Sequence, residues 1–566
     1  MSFIGTVFGR GKRGPRRPSG FDPYGRHLIG KNLERHVHVD VENQTLFLDE
    51  DRRSSDEMQE WLNAHRRLTG AVWPAKWEGI AELTARKASF REITAIRDQA
   101  GEGAATAREA GRKLLTIAAA FRISDMHFRH GATHTSIEIR LRKKIMILKE
   151  VSRHEGRQLE IAIFNLQSSR KNTYSEKDPQ DGGITGDALP GTGLANVRII
   201  RGPSYPQMDG GGFMSLRFQY KEGTGARPEI PPDIILRSPK KPEVDIEAEL
   251  LPKGFSPRQI DLLKYLCSFP AGFVVLTGPT GSGKSTTLLA LSRHQARIDP
   301  HKRLITIERP VEYFMPWAVQ LEVSNTDDTE QAQREFAEHA RNMLRMDPDR
   351  VVIGEIQDVG VALVAVTLAR TGHSGLTTLH VDDAFDIFPR LEDMDNDRLK
   401  RQVICDTSLF RGVVAQRIQS VLCPHCKLPW EPDDPRMPSV SRDALRSWGD
   451  TSGVYRRNPD GCDHCNHMGN DSPTAVAEVV VANTELMSNV IRHGVEIARQ
   501  WHRARPDADT TMVEKSIALA FEGRVDPADI IGEVGQIPFR DELEQERRRA
   551  TAARAARDAG TKEPAP

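Results

Sequence analysis

Apolar residues recur at every second position through HVHVDVENQTLFLDE (36–50), with Asn43 and Gln44 between the two runs, so the pattern predicts a β-hairpin. From Ser55 to about Gly103 the pattern turns helical and charged, with Trp61, Leu62, Leu68, Trp73 and Trp77 as apolar anchors. A second helix is predicted over 107–122. Strand-like runs follow it at 124–130, 136–148, 194–202 and 212–220, which together suggest a small α+β unit with a sheet. The stretch 222–245 carries five prolines and neither periodicity, the signature of a connector. From about residue 256 strands and helices alternate as in an α/β nucleotide-binding domain, interrupted at 423–472 by a loop-rich insertion with four cysteines. The charged, Ala-rich C-terminus is expected to be a frayed helix or disordered.

Composition narrows the class. Hydrophobic residues make up 38% and charged residues 28% of 566, enough for several cores. The longest apolar runs, LTIAAAF (115–121) and GFVVLTG (272–278), are far shorter than the ~20 residues that cross a bilayer. No stretch has the order of a secretory signal. Lys plus Arg and Asp plus Glu are balanced at 79 each, so no global field steers the chain toward nucleic acid. Six cysteines are too few for a disulfide scaffold. The expectation is a cytosolic, multi-domain chain. The basic segment at 9–20 reads either as a solvated tail or as a contact with an anionic membrane surface or acidic partner.

The chemistry begins at 272–291: a buried-strand pattern, a Gly-rich loop, then a helix pattern. Gly278, Pro279, Thr280, Gly281, Ser282, Gly283, Lys284 and Ser285, followed by Thr286, match the phosphate-loop motif at every fixed position. Glycine lets successive backbone N–H groups turn toward phosphate oxygens. Lys284 supplies charge for the β and γ phosphates of ATP, and Ser285 a hydroxyl for Mg²⁺. Hydrolysis also needs carboxylates. RLITIE (303–308) ends in Glu308, with Glu312 four positions on, and RVVIGEI (350–356) carries Glu355 at its end, 70 residues past Ser285. A strand-end carboxylate can equally be a salt-bridge partner.

Cys423 and Cys426, then Cys462 and Cys465, form two C-x-x-C knuckles separated by 35 residues, the spacing of a tetrahedral Zn²⁺ site. Disulfides and a redox-active pair are the competing readings; a cytosolic chain and the lack of a thioredoxin-like context disfavour them. Four thiolates leave no open position, so the zinc would be structural, with His425, His464 and His467 as bystanders and a His-for-Cys exchange as the alternative. Cys267 and Cys405 read as core residues.

GPTGSGKSTTL (278–288), TIERPVEY (306–313), LRMDPDRVVIGEIQD (344–358), TGHSGLTTLHVDDA (371–384), AQRI (415–418) and the paired cysteine knuckles occur in one order over about 106–540. In this the chain resembles the secretion ATPase superfamily that powers type II secretion, type IV pilus assembly and related conjugative pili. The resemblance implies an α/β fold: a RecA-like P-loop domain preceded by a small α+β PAS-like domain, with a zinc-binding insertion. It implies a homo-hexamer acting on a polytopic inner-membrane platform protein and the pilus or secretion machinery. The chain would be cytoplasmic and peripheral at the inner membrane, with no direct nucleic acid contact. The expected division is an N-terminal region of unknown role (1–105), the PAS-like domain (106–221), a linker (222–255), the ATPase domain (256–540) with the insertion at 423–472, and a disordered tail (541–566).

By matching position, Glu308 resembles the glutamate that polarises the attacking water and Glu355 the Walker B glutamate. His373 and His380 resemble the histidine box, with His380 near the γ-phosphate. SDMHF (124–128) resembles the small domain's SDIHI signature, and Arg140 and Arg142 its R-x-R strand, with Arg198 and Arg217 on later strands. Such arginines reach toward nucleotide in the family; a solvated strand face is the alternative. Two positions depart from the pattern, Arg309 for an acid after Glu308 and Gln357 for an arginine before Asp358. The extended N-terminus and zinc module favour assembly over retraction. Other readings are a conjugative type IV secretion traffic ATPase and a nucleotide-binding scaffold that does not hydrolyse.

Overall fold

Three sheets organise the computed structural model, which describes residues 33–84 (apart from 34, 41–44 and 70–72), 103–167, 173–223, 228–323 and 329–560. The basic segment at 9–20 and the Asn43-Gln44 turn lie outside the described residues.

The N-terminal sheet contains β1 (Val37–Asp40), β2 (Thr45–Asp49) and β3 (Ala75–Glu78). β1 and β2 pair antiparallel, Val37 opposite Leu48 and Asp40 opposite Thr45, as a hairpin requires. The helix Asp56–Thr69 follows, and Trp61 and Trp73 join Val37, Leu46, Leu48 and Met58 in one apolar cluster. Trp77 departs from the helical expectation: it lies on β3, which pairs parallel with β2. Four residues are too short a run to announce a strand whose partner lies thirty positions away.

The second sheet is built from β4 (Asp125–His130), β5 (His134–Leu141), β6 (Lys144–Ser152), β7 (Gln180–Thr185), β8 (Leu194–Pro203) and β9 (Gly212–Tyr220), in the order β6-β5-β4-β9-β8-β7. The run 136–148, expected as one strand, is broken by Arg142 and Lys143, whose φ angles of 50° and 69° turn the chain into a hairpin. Arg142 is therefore an exposed turn residue, while Arg140 stays on β5 and is buried.

The third sheet contains β10 (Gly272–Thr277), β11 (Leu304–Glu308), β12 (Ala318–Glu322), β13 (Arg350–Ile353), β14 (Ser374–Leu379) and β15 (Phe410–Gln419). A two-residue ribbon in the cysteine insertion, β16 (Leu428–Pro429) with β17 (Tyr455–Arg456), precedes the edge strand β18 (Thr474–Val481). The order is β12-β11-β13-β14-β10-β15-β18. Every pair is parallel except β15 with β18. The central strands are buried on both faces, which is why they read as continuous apolar runs. All parallel strands point their C-terminal ends to one edge, where ligands bind in open α/β sheets.

The Pro-rich stretch 228–245 holds neither helix nor ladder beyond a bridge between Arg237 and Ile147. The following helix Ile246–Leu250, capped by Asp245, already packs Ile246 and Leu250 with Val274 and Leu276 of β10. The core of the third sheet thus begins ten residues before the expected boundary. At the other end Arg540–Gly560 is helical, one of the two forms expected there, and Arg547 and Arg554 pair with Glu514 and Glu485 at 2.8 Å. Among the described residues no helix is long and apolar enough to cross a membrane.

Candidate active site

The phosphate loop leaves the C-terminal end of β10 and feeds the helix Lys284–Ile298. Gly278, Gly281 and Gly283 have φ of 137°, 81° and 83°, which side-chain-bearing residues rarely adopt. A Cβ on Gly278 would also lie 2.2 Å from the Gln416 carbonyl oxygen. Lys284 folds back over the loop, its Nζ donating to the Gly278 and Pro279 carbonyls at 2.8 Å each. Burial lowers its pKa, against the opposing pull of Glu355 and Glu312. The Ser282 hydroxyl is buried without a hydrogen-bond partner among the described residues. Backbone N–H groups, an ammonium and an orphaned hydroxyl around one loop are the donor set a polyphosphate requires.

Gln416, on the adjacent β15, fastens this loop. Its Nε2 donates to the Ser282 carbonyl at 2.7 Å and its Oε1 accepts from Thr287 at 2.8 Å. The AQRI run (415–418) contains this residue, but nothing in the sequence gives it a task; the only signal is an amide directly after a short apolar run in a strand pattern.

Glu308 ends β11. It is only 8% exposed and its Oε1 accepts from Thr306 at 2.5 Å and from Gln320 at 3.0 Å. Burial dominates and raises its pKa above 4.5 despite those donors, with Glu312 and Glu322 adding in the same direction. Glu355 follows β13, its Oε1 lying 3.2 Å from Nε2 of His380, which follows β14. Gln357 donates to the other Glu355 oxygen at 2.9 Å. The departure at 357 therefore supplies an amide donor to Glu355.

Two expected members lie elsewhere. His373 precedes β14, bonded through Nδ1 to Thr371 and the Leu368 carbonyl at 2.9 and 3.1 Å, and the strand's six residues put it ~20 Å from His380. Arg140 pairs through Nε with Asp347 and through NH2 with Asp349 at 2.7 Å. Both acids precede β13, so Arg140 sits at the sheet edge opposite the phosphate loop and contributes nothing to the site of its own chain. Around Asp347 gather His127 at 3.2 Å and Arg217 at 3.6 Å, with Arg217 also on Asp125 at 2.8 Å. The arginine signature thus joins the second sheet to the third.

The four cysteines of the insertion do converge. Their sulfurs lie within 4.8 Å of one another, with 3.9 Å between Cys423 and Cys462, 3.9 Å between Cys426 and Cys465, and 3.8 Å between Cys462 and Cys465. A tetrahedron with ~2.3 Å zinc–sulfur bonds has edges of about 3.8 Å. These separations exclude disulfides, whose bond is about 2.05 Å. The rings of His425 and His464 lie 4.1 Å apart, tilted by 50°, and outside the ligand set. Cys267 and Cys405 are buried, and burial pushes each thiol to about 12.

A parallel sheet whose C-terminal edge presents a phosphate loop, two strand-end carboxylates and a histidine on one of them defines a P-loop nucleoside triphosphatase. Residues 101–536 match the family described as Type II/IV secretion system protein, and the chain belongs to that family. The type II secretion system protein E of Pectobacterium carotovorum is 32% identical over 68% of this chain and 67% of its own length. The type II secretion system ATPase E of Vibrio cholerae is 33% identical over 44% of this chain and 46% of its own. The type IV pilus assembly ATPase PilB of Thermus thermophilus is 32% identical over 48% of this chain but only 28% of its own. The chain thus spans from about a quarter to two thirds of these relatives.

Proposed function

We propose that the chain is an ATP-hydrolysing motor that drives pilus or pseudopilus assembly, or a type II-like secretion machine. One observation carries the reading: Lys284, Glu308 and the Glu355–His380 pair all stand at the C-terminal edge of one parallel sheet, in the family's chain order. The Gly278–Thr286 backbone and Lys284 bind the β and γ phosphates, and Ser285 and Glu355 would hold magnesium. Bound magnesium supplies neutralising charge on the phosphate oxygens. Glu308, its pKa raised by burial, accepts a proton from the attacking water, and His380 keeps Glu355 oriented.

In this reading the 106–221 segment is the PAS-like domain and 256–540 the RecA-like domain, six copies forming a ring at the cytoplasmic face of the inner membrane beside a platform protein. Arg142, exposed at the β5–β6 turn, would meet nucleotide held by a neighbouring copy. Arg140 supports that turn through Asp347, Asp349 and the Lys143 carbonyl. Cys423, Cys426, Cys462 and Cys465 would hold a structural zinc that orders the insertion.

Phosphate release by the purified full chain, with and without Lys284→Ala, tests the motor reading. Turnover that disappears in the variant is expected. A wild type that binds ATP without releasing phosphate would overturn it in favour of a nucleotide-binding scaffold.

A further inference from the structure

The chain that follows His380 is clamped by arginines. Asp382 accepts from Arg417 at 2.8 Å, Asp383 from Arg503 at 2.6 Å, and Asp386 from Arg499 at 2.8 Å. Three acids within five residues are each paired with an arginine distant in sequence, one on β15 and two on a single helix. Arg499 and Arg503 stand one turn apart on the helix Val495–Arg503, so one helix face grips both ends of the 383–386 segment. Arg503 is itself fixed by a bidentate pair with Glu478 of β18, at 2.8 and 2.6 Å. Glu478 is 1% exposed, so the anchor is solvent-excluded. Phe385 sits between these groups, its ring 5.5 Å from the Arg503 guanidinium and 5.6 Å edge-on from His502. Arg417 follows Gln416 on β15, so the strand that fastens the phosphate loop also fastens Asp382.

Only two residues separate His380 from Asp383, at most ~3.6 Å of chain each. His380 itself is 41% exposed on its side chain and has Glu355 as its ion-pair partner. A half-exposed imidazole with so little packing takes its position from the chain that carries it. We infer that Arg499 and Arg503 are positioning residues for ATP hydrolysis, which through Asp383 and Asp386 set the place of His380 against Glu355. The inference rests on the hydrolase reading above. It gives the helix 495–503, distant in sequence from every phosphate-loop motif, a part in turnover. Any force that moves this helix would change the rate at the phosphate site.

Steady-state ATP turnover of full-length Arg499→Gln, Arg503→Gln, Arg499→Lys and Arg503→Lys tests this. Each glutamine variant is expected to lower kcat about 10- to 100-fold, the range a displaced positioning contact produces. KM and the Kd of a non-hydrolysable ATP analogue should stay within about twofold, since the phosphate loop is untouched. Arg499→Lys should recover most of kcat because it keeps a cation on Asp386. Unchanged kcat in both glutamine variants overturns the inference. So does a parallel loss of nucleotide binding and thermal midpoint without rescue by lysine, which marks a merely structural pair. Should Arg503→Gln fail to fold, Arg499→Gln decides, since Arg499 pairs with the partly exposed Asp383 and Asp386 and leaves the buried Glu478 with its partner. Amide exchange over 380–386 provides a reading independent of turnover. Faster exchange in Arg499→Gln is expected, and unchanged exchange overturns the clamp even in a chain that does not hydrolyse ATP.

Discussion

Gln416 donates from Nε2 to the carbonyl oxygen of Ser282 at 2.7 Å, so a strand residue 134 positions downstream holds the phosphate loop in its curve. Its other amide atom accepts from Thr287 on the helix that follows the loop. Replacing it with leucine leaves a buried carbonyl and a buried hydroxyl without partners, at about 1–3 kcal/mol each. Gln416→Leu should therefore weaken nucleotide binding about tenfold. Titration with a fluorescent ATP analogue checks this; unchanged affinity would show that the loop keeps its shape without the amide.

Glu308 and Glu355 separate binding from chemistry. Glu308→Gln and Glu355→Gln each keep the loop and Lys284 intact, so turnover should fall at least ~100-fold while ATP binding persists. Burial holds the Glu308 carboxyl above its ordinary 4.5, and only its ionised form accepts a proton. Wild-type kcat should accordingly decline on acidification at a pH above 4.5. A pH profile flat through that range, or binding lost together with turnover in both variants, would remove these roles.

Arg140 gives the opposite expectation from a catalytic arginine. Burial alone would raise the pKa of Asp347; the His127 hydrogen bond and charge and the Arg140 guanidinium outweigh it and hold the carboxyl at about 2. A depressed carboxylate stabilises the fold above its unfolded value near 3.8, and this contribution fades as pH falls toward 2. Asp347→Asn should cost roughly 2–3 kcal/mol at pH 7, a gap that narrows below pH ~4. Arg140→Ala should lower stability as well, while Arg142→Ala should leave the unfolding free energy unchanged. Denaturant unfolding across pH measures all three.

The cysteine cluster predicts one zinc per chain. Cys423→Ser or Cys465→Ser should lose the metal and make 423–472 protease-sensitive, because a bound zinc would contribute an apparent free energy of ~10–16 kcal/mol to that segment. Cys267→Ser should leave metal content unchanged. Elemental analysis with limited proteolysis reads both; a wild type that is metal-free and protease-resistant over 423–472 would refute the assignment.

Much of this molecule was decided by sequence alone. Gly278–Ser285, Glu308, Glu355 and the two C-x-x-C knuckles are local patterns whose chemistry depends on residue type and spacing, and buried parallel strands are continuous apolar runs that announce themselves. The structure places the loop and both carboxylates at one sheet edge and draws the four cysteines together, as those patterns require. What tertiary structure decided are the partnerships across long stretches of chain. A strand pattern cannot reveal that Arg142 turns through positive φ, nor that Arg140 meets acids more than 200 residues away. Nor can it reveal that His373 and His380, though both belong to one motif, occupy opposite ends of β14. Gln416, Arg499 and Arg503 carry no motif, because their tasks exist only once the sheet order brings β15 beside β10 and a C-terminal helix onto the segment after His380. Hydrogen bonds and ion pairs act over about 3 Å in space, and that proximity is set by topology rather than by position along the chain.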